Sequence, residues 1–414
     1  MKSILPLLAS VPLAAAWFPS VDKDIFATTG DNIFNATTAA INKRYLPDAK
    51  KIRGVNLGAH FIFEPWIAED KWKSMGCPTD EKHKSEFDCV SSLGQDQADK
   101  VFQEHWGSWV TKDDISQMRE YGLNTIRIPV GYWLKEDLVD AESEHFPRGG
   151  LQYLSDVCDW AAEAGMYIIM DFHGLPGAQQ AEQPFTGQYA PSVGFYEDAQ
   201  YDRALEWIEW MTKNIHQDDK FRNVGMIELV NEPLQGSAQT DSMRKGYYPD
   251  AWKRIRDTES SLGVAQEGSL HIQMMDTKWG SGNPKEFLED DTFAAYDDHR
   301  YLKWSEVPTD KDSYIDASCN DDRGGDEPLI VGEWSLSVNS DVEGNSDWDP
   351  WTNQDFYTKW FAAQVISYEK QQGWVFWTWK ANLGDYRWSY KDTDAVDAGV
   401  IPKDLDSVYD SSPC

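Results

Sequence analysis

Short, nearly uninterrupted apolar runs punctuate the chain at residues 52–58, 125–130, 166–173, 224–230, 270–275, 293–296, 329–331 and 373–379. A strand with one wet face alternates polar and apolar residues. Runs without that alternation belong in a sheet covered on both faces. Helical spacing fills most of the intervals. Residues 111–121 carry Thr111 and Asp114 in capping-box positions and stop at Gly122. Residues 151–164 end at Gly165, directly before a strand. Tyr201, Ala204, Leu205, Ile208, Thr212 and Ile215 trace one helical face, and Tyr357, Phe361, Val365 and Tyr368 trace another. Strand and helix alternating about eight times predict an α/β fold: a single (β/α)8 TIM barrel, with its active site at the C-terminal ends of the strands. A doubly wound open sheet is the alternative. It calls for a glycine-rich phosphate loop after the first strand, and Gly54-Val55-Asn56-Leu57-Gly58 does not supply one. Helical patterning is weakest between the fifth and seventh strands.

The first residues read differently. Lys2, an apolar run over 4–13 and Ala14-Ala15-Ala16 form a secretory signal peptide, residues 1–16, too short to span a bilayer. Residues 17–50 are a polar N-terminal segment with the sequon Asn35-Ala36-Thr37. Its dibasic pair Lys43-Arg44 allows a pro-peptide that ends at Arg44. Residues 51–414 show no composition break and make one domain. A secreted, extracellular protein is expected. The net charge of −32 argues against nucleic acid and anionic membrane as partners. Twenty Trp residues are far more than an ordinary core uses, so some rings should bind rather than fill. Five cysteines leave at least one without an intramolecular partner, and Cys77 with Cys89 is the expected disulfide. No Cys/His spacing suggests a zinc site, so no metal and no cofactor are expected.

Candidate chemistry gathers where the apolar runs end. Arg127 lies on the second. The third ends in Asp171-Phe172-His173-Gly174, the fourth in Asn231-Glu232-Pro233, and the sixth in Asp298-His299-Arg300-Tyr301. The seventh ends in Gly332-Glu333-Trp334 and the eighth in Trp377-Thr378-Trp379-Lys380. Any one of these alone is more simply a loop charge or a packed ring. Together they put two glutamates, Glu232 and Glu333, on strands that face each other across a barrel mouth. Such a pair can divide a reaction, one carboxyl protonating a leaving oxygen while the other attacks.

These segments, in this order and over about residues 50–405, resemble glycoside hydrolase family 5. The segments Asn56-Leu57-Gly58, Phe63-Glu64-Pro65-Trp66, Phe185-Thr186-Gly187-Gln188, Trp279-Gly280-Ser281-Gly282-Asn283-Pro284 and Leu383-Gly384-Asp385-Tyr386-Arg387-Trp388-Ser389-Tyr390 are similar to its fungal secreted endo-1,6-β-glucanase branch. The resemblance implies retaining hydrolysis of β-1,6 bonds in β-glucan polysaccharide. Glu232 would be the acid/base and Glu333 the nucleophile. Asn231 would hold the 2-hydroxyl of the reacting sugar, and Arg127 would support the nucleophile. His173 would lie in the substrate site, His299 and Tyr301 near the carboxylates, and Trp377 under the sugar. The alternatives are an exo-1,3-β-glucanase of the same family, and a carbohydrate-binding protein that has lost catalysis. A structural wall protein would need repeats or stalks that the sequence lacks. A monomer is expected.

Overall fold

The computed structural model describes residues 51–80, 84–321 and 325–414. The signal peptide, the segment 17–50 with its sequon, and the Lys43-Arg44 pair lie outside the described residues. The strands are β1 (Ile52–Asn56), β2 (Thr125–Gly131), β3 (Tyr167–Gly174), β4 (Val224–Glu228), β5 (His271–Met275), β6 (Ala294–Arg300), β7 (Leu329–Trp334) and β8 (Gly373–Phe376). Each pairs in parallel with the next and β8 closes on β1, giving the expected barrel. Arg53 apart, every strand residue is buried, which is why the runs read as continuous rather than alternating.

Four helices cross from β1 to β2: α1 (Glu69–Ser74), α2 (Glu86–Leu93), α3 (Gln95–Trp106) and α4 (Lys112–Glu120). Thr111 and Asp114 form the expected capping box on α4. Helices α5 (Gly150–Glu163) and α6 (Asp198–Gln217) follow β2 and β3. After β4 come α7 (Ala238–Ser242) and α8 (Tyr248–Ser261); α9 (Lys311–Cys319) and α10 (Gln354–Tyr368) follow β6 and β7. The alternation is imperfect in two places. The β5–β6 connection holds no α-helix, because Gly280, Gly282 and Pro284 interrupt it. Beyond β8 no α-helix occurs among the described residues, only a π-helical segment and a short 3-10 helix, Leu405–Asp410.

Side chains inside the barrel follow the strand period of two. Ile52, Tyr167, Ile169, Met226, Ala295, Ile330 and Val375 form a separate apolar plug. Two residues further along their strands stand Asp171, Glu228, Asp297 and Trp377; two more bring His173 and His299. Below, the barrel interior is hydrocarbon; above, it is charged. Glu333 breaks the parity, lying three residues beyond Ile330. It faces inward because β7 bulges: Val331 pairs with Asp298 and Glu333 with His299, so Gly332 is left over. Gly332 donates its N–H to Asp297 Oδ1 at 2.7 Å, and a Cβ there would meet that same oxygen at 2.1 Å. Only glycine fits the bulge that aims Glu333.

Disulfides join Cys77 to Cys89, as expected, and Cys319 to Cys414, a pairing the sequence left open. Cys158 is free and buried on α5. The second bridge ties the chain end to α9 across 95 residues against 12 for the first. In the chain-entropy picture these loops stabilise by roughly 4–5 and 2–3 kcal/mol. A non-reduced digest should therefore yield both bridged peptides, with Cys158 alkylated only after unfolding. Removing the Cys319–Cys414 bridge should lower unfolding stability more than removing Cys77–Cys89. Equal losses in urea titrations would count against the loop-length argument.

Candidate active site

Glu232 and Glu333 meet at the barrel mouth with His299 between them. One ligand atom from each of the three lies within 4.8 Å of the others. His299 Nδ1 is 2.7 Å from Glu232 Oε1 and 3.5 Å from Glu333 Oε2; its Nε2 is 3.6 Å from Asp297 Oδ2. Burial opposes a charge on this ring, but Glu333, Asp297 and Glu232 outweigh it and hold His299 well above its ordinary value. It is therefore a cation at neutral pH and donates toward Glu232. Among the described residues, this is the only His/Cys/Asp/Glu group close enough to share a metal ion. Each member already has a partner within the protein.

Glu333 is held on both oxygens. Arg127 Nη1 donates to Oε1 at 3.0 Å and the Tyr301 hydroxyl donates to Oε2 at 2.8 Å. Burial, with Glu232 nearby, holds the Glu333 carboxyl above its ordinary value, and His299 and Arg127 offset that only in part. Arg127 is fully buried. It also reaches Asn56 Oδ1 at 3.0 Å, Asn231 Oδ1 at 2.9 Å, Glu228 Oε2 at 2.8 Å and Asp171 Oδ2 at 3.0 Å. Burial pushes Asp171 up, yet Arg127 and His173 win and hold it below its usual range. Glu228 goes the other way: burial, with Asp297 and Asp171 nearby, raises it well above. The interior thus holds one cationic fork, an ionised Asp171 and a Glu228 that favours its proton.

Glu232 is the more open of the two glutamates, with 21% of its side chain exposed against 7% for Glu333. Its backbone is left-handed, at φ +42°, which is uncommon for a residue with a Cβ and marks a position its surroundings enforce. Two glutamines that the sequence reading passed over help to do so. Gln179 Nε2 donates to Asn231 O at 3.0 Å and to His173 O at 2.6 Å; Gln180 Nε2 donates to Glu232 O at 2.9 Å. His173 Nδ1 contacts Asp171 Oδ2 at 2.6 Å, and its ring stacks 5.8 Å from Trp377.

The pair opens into a cleft of about 1020 Å³. Of the expected residues, Glu232, Glu333, Asn231, His173, His299, Tyr301 and Trp377 line it, whereas Arg127 works from beneath. Phe185, Trp279 and Trp388 also line it. The other rings of the strand-eight loop do not: Trp379, Tyr386 and Tyr390 are packed inside. Sequence reasoning missed the interior acids Glu228, charged within an apolar run, and Asp297, directly after one. It also assigned no role to Glu64, a third carboxyl in the wall. Burial, with Glu333 and Glu232 nearby, pushes Glu64 up to about 7.

The chain matches the family model described as Cellulase (glycosyl hydrolase family 5) over residues 90–383. It is 67% identical over 415 residues to a protein of Emericella nidulans named glucan endo-1,6-beta-glucosidase B, covering all of both chains. A protein of Aspergillus fumigatus named probable glucan 1,3-beta-glucosidase A is 28% identical, over 86% of this chain and 88% of that one. Among solved structures, a rutinosidase from Aspergillus niger superposes with a TM-score of 0.65 at 19% identity. That match covers 87% of this chain and 99% of the other, and it supports the fold.

The raised carboxyl of Glu64 has a consequence for stability. A group whose folded value is raised favours folding below its unfolded value, and that contribution disappears as pH climbs through the folded one. For Glu64 the window runs from about 4.5 to about 7, and the loss is of the order of 3 kcal/mol at most. Glu64→Gln should flatten the fall in unfolding stability across that window. An unchanged slope would show that Glu64 titrates as it does in the unfolded chain.

Proposed function

Because this chain belongs to glycoside hydrolase family 5, with relatives named for β-1,6-glucan over its whole length, we propose that its cleft performs retaining hydrolysis of β-1,6-glucosidic bonds. The observation that carries the mechanism is the spacing of Glu232 and Glu333, whose facing atoms come within 4.8 Å. Retaining enzymes set their carboxyl groups roughly 5–5.5 Å apart; inverting ones leave room for a water at roughly 6.5–9.5 Å.

The first step forms one bond and breaks another. Glu333, held ionised by Arg127 and aimed by Tyr301, attacks the anomeric carbon. As the glycosidic C–O bond breaks, Glu232 gives its proton to the departing oxygen, the 6-oxygen of the next glucose. The result is a glucosyl ester on Glu333. In the second step Glu232, now a carboxylate, takes a proton from water. The water oxygen bonds to the anomeric carbon and Glu333 leaves, restoring the β configuration. The cation at His299 lies beside both carboxylates. Asn231, held by Arg127 and the Gln179–carbonyl bond, stands where the 2-hydroxyl is to be bound. Trp377 offers an apolar face for the sugar. No step calls for a metal or cofactor.

The protein acts outside the cell as a monomer. Two disulfides suit an oxidising compartment, and no helix among the described residues is long and apolar enough to cross a membrane. Residues 1–16 remain the proposed signal peptide, with processing as far as Arg44.

Glu232→Gln and Glu333→Gln should each reduce turnover at least about a thousandfold while leaving the fold intact, since each removes a proton-transfer or covalent step. Azide should rescue Glu333→Ala and give an α-glycosyl azide. Near-normal activity in either Gln variant would remove the assignment. The unmodified enzyme should cut pustulan, a linear β-1,6-glucan, into gentio-oligosaccharides. Faster release of glucose alone from laminarin would instead favour the exo-1,3 reading.

A further inference from the structure

Asp297 lies beneath the two glutamates, fully buried on β6. Its two oxygens do different work. Oδ1 accepts the Gly332 N–H at 2.7 Å, at the bulge in β7 that turns Glu333 inward. Oδ2 lies 3.6 Å from His299 Nε2 and 3.6 Å from Arg127 Nη2. These are charge contacts, too long for hydrogen bonds. Oδ2 and His299 Nε2 are both buried, and neither makes a hydrogen bond among the described residues. Asp297 and His299 stand two residues apart on one strand, so the pleat turns both into the barrel.

We infer that Asp297 is a positioning residue for both proposed catalytic glutamates: one oxygen holds the bulge that aims Glu333, and the other keeps a proton on His299 Nε2, so that the ring stands charged between Glu333 and Glu232. This rests on the retaining reading of that pair. The surroundings of the ring single out Asp297. Glu232, after β4, and Glu333 of β7 face the other nitrogen, Nδ1, at 2.7 and 3.5 Å. Asp171 of β3 and Glu228 of β4 also act on the ring, but Asp171 is engaged by Arg127 and His173, and Glu228 favours its proton. The loop after β5 brings only the Trp279 ring, at 5.7 Å. Asp297 is therefore the acid that answers Nε2. Its place is fixed from the other side. A Cβ on Gly332 would meet both Asp297 oxygens, at 2.1 and 2.3 Å, so the carboxyl lies against the bulge itself. With Oδ1 bonded there, Oδ2 cannot swing from the ring unless the Gly332 bond breaks. Glu333 is faced in turn by Arg127 of β2, His173 of β3 and Glu64 of the loop after β1.

Asp297→Asn separates the two roles. Its amide oxygen can keep the Gly332 bond, which turns its NH2 toward His299 Nε2. A donor there requires a bare nitrogen, so the ring becomes neutral while its Nδ1–H still reaches Glu232. Burial raises the Glu333 carboxyl, and His299 comes first among the groups that oppose the rise. With the ring neutral, Glu333 should ionise only at higher pH. The acidic limb of kcat/KM on pustulan reports that ionisation in the free enzyme, and it should move up by at least about one pH unit. A limb that stays or moves down would overturn the inference, because losing a merely structural acid, or a negative charge alone, gives one of those results. Asp297→Ala also frees the Gly332 N–H and should lower kcat/KM at least about tenfold below Asp297→Asn; equal losses would likewise overturn it. The ring is read directly on the unmodified protein labelled with 15N-histidine, which needs neither a folded variant nor a substrate. The His299 signals, assigned by their loss in His299→Gln, should show both nitrogens protonated from about pH 5 to about pH 8. An ordinary titration near about 6.5 would sink the proposal. Because that spectrum involves no sugar, the two claims fail separately: uncut pustulan removes the β-1,6 reading, while the spectrum alone still judges Asp297.

Discussion

Burying a guanidinium with nothing to answer its charge would destabilise a protein by several kcal/mol, and Arg127 is wholly buried. The barrel answers it with groups from most of its strands: Asn56 of β1, Asp171 of β3, Glu228 of β4, Asp297 of β6 and Glu333 of β7. This arrangement constrains what lies above it. Burial raises the Glu333 carboxyl, and the permanent cation beside it opposes that rise. Removing Arg127 would leave several carboxyls in a low-dielectric interior with little but His299 to oppose them, a change worth about 3–5 kcal/mol for a single broken buried pair. The same fork bonds Asn231 Oδ1 and so fixes the residue before Glu232. Glu333 and Glu232 are therefore both located by one side chain, buried beneath the cleft.

His299 complements that cation from the other side. It lies between Glu232 and Glu333, with Asp297 beneath its second nitrogen. Two carboxylates this close repel, and without a charge between them the second to ionise would be suppressed. The proposed reaction needs the pair to share one proton in the first step and none once the ester has formed. A histidine held charged by three acids permits both states without moving a side chain. The left-handed backbone of Glu232 fits this picture: the carboxyl is brought to His299 by a turn that Gln179 and Gln180 hold through backbone carbonyls.

The barrel was legible because strands buried on both faces leave continuous apolar runs, and β1 to β8 fall within or beside the runs read. The β5–β6 connection was not a helix, and the weak patterning there, with Gly280, Gly282 and Pro284, had signalled as much. The residues that gather at the cleft were legible because they follow apolar runs, where polar groups stand out. What supports them was not. Glu228 and Asp297 lie inside the strands and give no periodic signal; their partner, Arg127, comes from a strand about a hundred residues or more away. Gly332 read as one glycine among many, and only strand pairing reveals the bulge that turns Glu333 inward. Gln179 and Gln180 act on main-chain carbonyls about fifty residues distant, a relation carried by loop geometry alone. The Cys319–Cys414 bridge likewise joins the end of α9 to the end of the chain, and their proximity follows from closing the barrel.

The aromatic excess divides between two kinds of work, and burial separates them. Trp334 packs among Phe361, Tyr368, Trp374 and Phe376, while Trp379 gives its N–H to Asp114; these rings fasten helices to the sheet. Trp66, Trp279, Trp377 and Trp388 all reach the cleft, and they do so from different loops, after β1, β5 and β8. A flat glucan needs rings laid out in one plane. Here Trp66 and Trp388 meet at 69°, so these two rings share no plane. Rings set at an angle in the cleft suit a chain that turns at each linkage, as the proposed β-1,6 substrate does. Because the strands hold the loops that carry these rings, the wall angles are properties of the barrel, set before any sugar arrives.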